Sequence, residues 1–143
     1  MPIARLLVIL PFLLALGACD MPRDPEGTLD KVRGKELIVG VMNVSGLDDR
    51  ETAAIERVAQ RLEAEAVLQP GEPHKLVADL NTGHVHLLAG GIPKNTPFKS
   101  ETGLTAPVSS TVIEGERVET VFAVRKGENG FLAAVERALR SQP

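Results

Sequence analysis

The sequence predicts an α/β fold: a mostly parallel central sheet of about five strands with helices on both faces. Three observations predict it. The runs Leu37 to Met42 and Val85 to Ala89 are continuously apolar, which marks strands covered on both sides rather than on one. Apolar stripes at helical spacing separate those runs. Strands and helices then alternate along the chain until a closing hairpin, the order of an α/β layer architecture.

Each element has a local reason. Thr28 to Lys35 reads as one helical turn, with Thr28 as cap and Gly34 as stop. The first strand, Leu37 to Met42, runs into a polar loop, Asn43 to Leu47. Asp48 followed by Glu51 forms a capping box with Asp as the cap. The helix it opens carries Ile55, Val58, Ala59, Leu62 and Ala66 on one face. Glu56, Arg57, Gln60, Arg61 and Glu63 form a solvated opposite face. Ala66 to Leu68 is a short second strand stopped by Pro70-Gly71. Pro73 suits the first turn of the next helix, Leu76, Val77 and Leu80 face inward, and Gly83 ends it. Val85 to Ala89 is the third strand, and Gly90-Gly91 begins its exit loop. Leu104 to Ile113 reads as a fourth strand, with Pro107 implying an edge or a bend. Glu114 to Arg117 is a tight turn, and Val118 to Arg125 returns as the fifth strand. Gly127-Glu128-Asn129 caps a last helix striped by Phe131, Leu132, Val135, Ala138 and Leu139.

Residues 1–18 read as a signal peptide: Arg5, then an apolar run from Leu6 to Leu16 that is too short to span a bilayer, which takes about 20 residues. Leu16-Gly17-Ala18-Cys19 resembles the lipobox of bacterial lipoproteins. That resemblance implies a diacylglyceryl group on Cys19, cleavage before it, and an acyl chain (palmitate or similar) on the new amino terminus. Two or more chains anchor a protein stably to a bilayer. Asp20 resembles the inner-membrane retention signal of enterobacterial lipoproteins, so a cell-membrane anchor facing the periplasm is expected, with the outer membrane as the other destination. Cys19 is the chain's single cysteine, so lipidation leaves no thiol for a disulfide. Residues 19–27, charged and proline-bearing, read as a tether, and residues 28–143 as one domain. A net charge of −3 without a basic stripe argues against nucleic acid.

Several stretches together carry a wider resemblance. They are T-L-D-K-V-R-G-K-E-L-I-V-G-V (Thr28 to Val41), A-x-R-L (Ala59 to Leu62), A-D-L-x-x-G-x-V (Ala78 to Val85) and L-L-A-G-G-I (Leu87 to Ile92). T-P-x-K (Thr96 to Lys99), G-L-T-A-P (Gly103 to Pro107) and V-R-K-G-E-N (Val124 to Asn129) complete the series. In order and spacing they resemble the periplasmic solute-binding proteins that feed polar amino acids to ABC transporters (family 3). The resemblance implies one lobe of a periplasmic-binding-protein-like fold, a small-molecule solute, and a transporter permease or second lobe-like protein as partner. The family's second lobe is inserted between the fourth strand and the returning strand, where this chain has only Glu114 to Arg117. Other departures touch the family's ligand contacts. Asn43-Val44-Ser45-Gly46 stands where the aromatic clamp is usual, and Lys99 where an arginine grips a carboxylate. His86 replaces an aspartate, and Val108 an aromatic. Lysine lacks the bidentate fork, so weak rather than tight capture of an anionic or zwitterionic solute is expected.

Ligands of open α/β sheets collect outside the carboxyl ends of the strands, which directs attention to Gly91, Thr96, Phe98, Lys99 and Thr105. Lys99 supplies a point charge, Thr96 and Thr105 hydroxyls, and Gly91 an approachable backbone N–H. A surface loop with a solvated lysine fits the same residues. Phe98, in a polar loop, either stacks on a ligand or plugs the cleft edge. His84 and His86 share a strand face, with His74 upstream, and imidazole suits zinc or copper. A metal site needs more ligands, so metal binding is the third reading. A lobe turned protein-interaction module is the second. No cofactor is expected. Ser45, Ser100, Ser109 and Ser110 lack a nucleophile-elbow context, and there is no phosphate-binding glycine pattern, so a binding protein rather than an enzyme is expected.

Overall fold

A computed structural model describes residues 21–141. The expected signal peptide, the lipidation site Cys19 and Asp20 lie outside the described residues. Within them the order is α1 (Thr28–Val32), β1 (Glu36–Val41), α2 (Asp49–Arg61), β2 (Glu65–Pro70), α3 (Pro73–Thr82), β3 (Leu87–Pro93), a 3-10 turn (Pro97–Ser100), β4 (Thr102–Leu104), β5 (Ser109–Ile113), β6 (Glu116–Arg125) and α4 (Asn129–Arg140).

The sheet order is β2-β1-β3-β6-β4, with β5 added to the outer part of β6. β1 is parallel to both β2 and β3, with Val39 beside Leu87. β3, β4 and β5 are each antiparallel to β6. Strands β1 to β5 therefore run one way and β6 alone runs against them, which is the mostly parallel α/β sheet expected.

Alternation along the central strands sorts side chains into two cores. Leu37, Val39, Leu87, Ala89, Phe122 and Val124 face α1, α2 and α4, where Val32, Ile55, Val58, Phe131 and Val135 meet them. Leu88, Val121 and Ala123 face the other way, onto Leu76, Val77 and Leu80 of α3. Phe122 and Phe131 are fully buried; truncating such a side chain to alanine costs about 3–5 kcal/mol.

Three local expectations are corrected. The run Leu104 to Ile113 is not one strand. Thr105 to Val108 carries the chain from β4 to β5, because Pro107 has no N–H for a ladder. Gly90-Gly91 lies inside β3 rather than in an exit loop, as a bulge between Leu88 and Ile92. Gly27 in left-handed conformation, not Thr28, precedes α1 and makes no side-chain cap.

The stretch read as a tether is docked from Arg23 onward. One Asp24 oxygen accepts the Leu29 N–H and the other the Phe131 N–H, each at 2.8 Å. The Arg23 carbonyl accepts the Gly130 N–H. Glu128, 1% exposed, reaches back to the backbone N–H groups of Glu26 at 2.9 Å and Thr28 at 3.0 Å. Burial pushes the Glu128 carboxyl upward, but those donors and nearby Arg125 outweigh it and hold it below the usual range. The clamp lies where β6 ends and β3 begins, since Leu87 pairs with Val124 and Thr102 with Arg125. The chain therefore enters at the end of the sheet opposite the carboxyl ends of β1 and β3.

Glu128→Ala leaves two N–H groups without their charged acceptor. It is expected to cost about 2–4 kcal/mol in urea unfolding. Because the folded carboxyl titrates below the unfolded one, its stabilisation is present above the unfolded value and lost as pH falls through the folded value. The Glu128→Ala variant should lack that acid-limb component.

Candidate functional site

At the carboxyl ends of β1 and β3 the backbone does something local patterning does not reveal. Gly90 and Gly91 both have positive φ, at 107° and 70°, so their N–H groups converge. Both donate to one oxygen of Glu51, at 3.0 and 2.9 Å. A Cβ on Gly90 would sit 2.8 Å from the Asn43 backbone nitrogen and 2.9 Å from that of Met42, so no side chain fits there. Glu51 is 2% exposed. It belongs to the capping box read from sequence: its N–H donates to Asp48 at 2.7 Å and its second oxygen receives the Asp48 N–H at 3.4 Å. The chain's own carboxylate thus fills the backbone donors that Gly91 was expected to offer a ligand.

The other expected site residues separate in the same way. Thr105 is buried; its hydroxyl accepts the Phe122 N–H at 3.0 Å and donates to the Ala106 carbonyl. Thr96 is buried and caps the 3-10 turn toward the Phe98 N–H. Phe98 packs against the α3 core and meets the His74 ring edge-on at a centroid distance of 5.2 Å. It plugs rather than presents. Lys99 alone is exposed and free of an ion pair among the described residues.

Lys99 lines an open cleft of about 360 Å³ with Lys94, Asn95, Glu116, Arg117 and Glu119. Lys94 is already paired with Glu119 at 2.9 Å, and its N–H donates to the Glu119 carbonyl, so the loop after β3 is tied to the β5–β6 ribbon. The ribbon closes through Glu114 and Gly115, both with positive φ, a two-residue turn matched to strand twist. Lys99, Arg117 and Glu116 remain as charges of both signs facing the cleft.

The histidines do not converge. His86 Nδ1 accepts the Ile38 N–H at 3.1 Å, extending the β1–β3 ladder by one side chain. His84 Nδ1 shares a hydrogen bond with the Thr82 hydroxyl, and His74 lies against Phe98. Among the described residues no group of three or more His, Cys, Asp or Glu side chains could hold a metal. Burial, seconded by the Lys31 ammonium and opposed by Glu36, lowers the His86 pKa below its ordinary value of 6.5.

The fold is similar to one lobe of solved amino-acid substrate-binding proteins. Neither a protein-family model nor a curated protein matches the sequence. Solved structures do match. Against domain 1 of the arginine-binding protein TmArgBP from T. maritima, in its arginine-bound form, the TM-score is 0.63 at 19% identity, covering 73% of this chain and 91% of that one. The amino acid ABC transporter substrate-binding protein AbpA of Streptococcus pneumoniae, bound to L-arginine, gives 0.60 at 10% identity, covering 73% and 87%. The ancestral amino acid-binding protein AncCDT-1, a precursor of cyclohexadienyl dehydratase, gives 0.64 at 13% identity, covering 79% and 92%.

Glu51→Ala strips the acceptor from the buried Gly90 N–H and the half-buried Gly91 N–H and is expected to destabilise by about 2–5 kcal/mol, against less than about 1.5 for Glu51→Gln, which keeps one amide oxygen. Urea unfolding of both variants checks the order. Neutral His86 is the form that accepts from Ile38, so its contribution is present above pH 6.5 and lost as pH falls through its lower folded value. Melting temperature should decline over that window in the wild type and decline less in His86→Gln.

Proposed function

We propose that the protein is a membrane-anchored lobe facing the periplasm that serves ABC-type amino-acid transport. It holds a small anionic or zwitterionic solute weakly, in the cleft between the Lys94–Lys99 loop and the β5–β6 ribbon. The observation that carries this reading is the pair of uncommitted cations, Lys99 and Arg117, beside Glu116 in a cleft at the expected rim. Charges of both signs suit a zwitterion. An open cleft buries little of a ligand, so micromolar or weaker affinity is expected, roughly −8 kcal/mol or less favourable. The reading is one of binding and not catalysis. The neighbours named above are amino-acid-binding proteins, one of them a dehydratase precursor.

Anchoring through Cys19, on the inner membrane by the residue Asp20, agrees with the docked entry segment. Only residues 20–22 separate the acyl site from the Arg23 attachment. At about 3.5 Å per residue that holds the lobe close to the bilayer, with the rim turned away from it.

A second reading, a lobe that docks a protein instead of a solute, is favoured by the committed rim donors and by the ribbon. Val112 is 69% and Ile113 54% exposed on an uncharged strand, the kind of edge that invites pairing. The partner would be a transporter permease or a second lobe-like protein.

Isothermal titration of the mature protein against the common amino acids tests the first reading. Heat abolished by Lys99→Ala supports it; no heat with any amino acid removes it. Pull-down from membranes tests the second, with Val112→Lys as the control that should lose the partner. Phe98→Ala would disturb the core instead.

A further inference from the structure

On the other side of the ribbon, away from Lys99, α2 and α4 meet the β4–β5 crossover around an open cleft of about 480 Å³. Arg50, Ala53 and Arg57 of α2 form one wall, and Val108 and Leu139 an apolar floor. Residues 50, 53 and 57 share a helix face, and helical side chains lean toward the amino terminus, so both guanidiniums serve the same cleft.

Neither arginine has a carboxylate partner among the described residues. Arg50 uses one nitrogen on the Ser110 carbonyl at 3.2 Å. Arg57 has its Nε sealed from solvent with no acceptor. That atom is covered by the protein, so a ligand in the cleft meets the terminal nitrogens of Arg57, for which no ion pair is present among the described residues. A guanidinium offers its donors as a planar fork matched to a carboxylate.

We propose that this cleft is a site for a small organic carboxylate bearing a short aliphatic chain. The carboxylate takes the Arg57 edge, with Arg50 alongside, and the chain lies on Val108 and Leu139. Asp49 also lines the cleft. It disfavours a second negative charge on the ligand and would receive an α-ammonium where one is present. The chemistry selects monocarboxylates and apolar amino acids over phosphate or dicarboxylates. The site is separate from the Lys99 cleft and stands whether or not that one binds solute.

The test is NMR titration of the ¹⁵N-labelled protein with isovalerate, leucine, acetate and phosphate. Isovalerate is expected to shift the amides of Ala53, Val108 and Leu139 saturably at millimolar concentration, with leucine at least as effective. Acetate, lacking the alkyl chain, should bind several-fold more weakly. Arg57→Gln should weaken isovalerate by at least about tenfold, and Ala53→Leu should block it by bulk while keeping both guanidiniums. Lys99→Ala should leave it unchanged, which separates this site from the rim. The proposal is overturned if isovalerate gives no saturable shift at those residues, if phosphate competes equally, or if neither Arg57→Gln nor Ala53→Leu weakens binding.

Discussion

The Glu51 carboxylate is the constraint around which the rim is arranged. Its two glycine donors exist only because Gly90 and Gly91 take left-handed backbone, and Gly90 can do so only without a Cβ. One buried side chain therefore fixes where α2 begins, where the loop after β1 turns, and how β3 bulges. Two converging N–H groups form the kind of concavity that binds anions. Here the anion is intramolecular. What remains open at this end of the sheet lies outside the bulge, in the charges of the Lys94–Lys99 loop and the ribbon.

The same economy of donors runs through the rim. Thr105 is drawn into the sheet because β6 needs a partner for the Phe122 N–H where β4 ends and the crossover begins. Thr96 turns the chain into the segment that sends Phe98 onto α3. A hydroxyl satisfied by backbone within a core has nothing left for a ligand, whereas an exposed ammonium does. That difference, rather than residue type, separates Lys99 from the residues grouped with it in sequence.

What was legible in the sequence was whatever depends on near neighbours. The apolar runs of β1 and β3, the Asp48–Glu51 box, Pro73 at a helix start and Gly83 in left-handed conformation at its end all act within a few residues, and all stand in the structure. What was not legible depends on long-range pairing. Glu51 shows its box but not the glycines about forty positions later in the chain. Glu128, read as part of a helix cap, instead serves Glu26 and Thr28 about a hundred positions away. His86 resembles a metal ligand until the register of β3 against β1 places it on the Ile38 N–H. The break at Thr105 to Val108 was signalled by Pro107, but not that β5 would resume pairing with the outer part of β6, through the Val108 N–H on the Thr120 carbonyl.

The two ends of the lobe then divide the work. At the end where β3 begins, Asp24 and Glu128 lock the entering chain against α4 through charge-assisted hydrogen bonds. At the other end stand the ribbon, the exposed cations and the loop bearing Val44, which is fully exposed. A closed two-part cleft surrounds a ligand and removes it from water, while a single lobe offers one wall, where charges are screened and each contact is worth less. Affinity at such a wall rises only if another surface covers it. The uncharged edge of β5 pairs with the β6 residues that line the Lys99 cleft. The two proposed readings are therefore linked: a partner that paired with the ribbon would also stand over the cleft proposed to hold a solute.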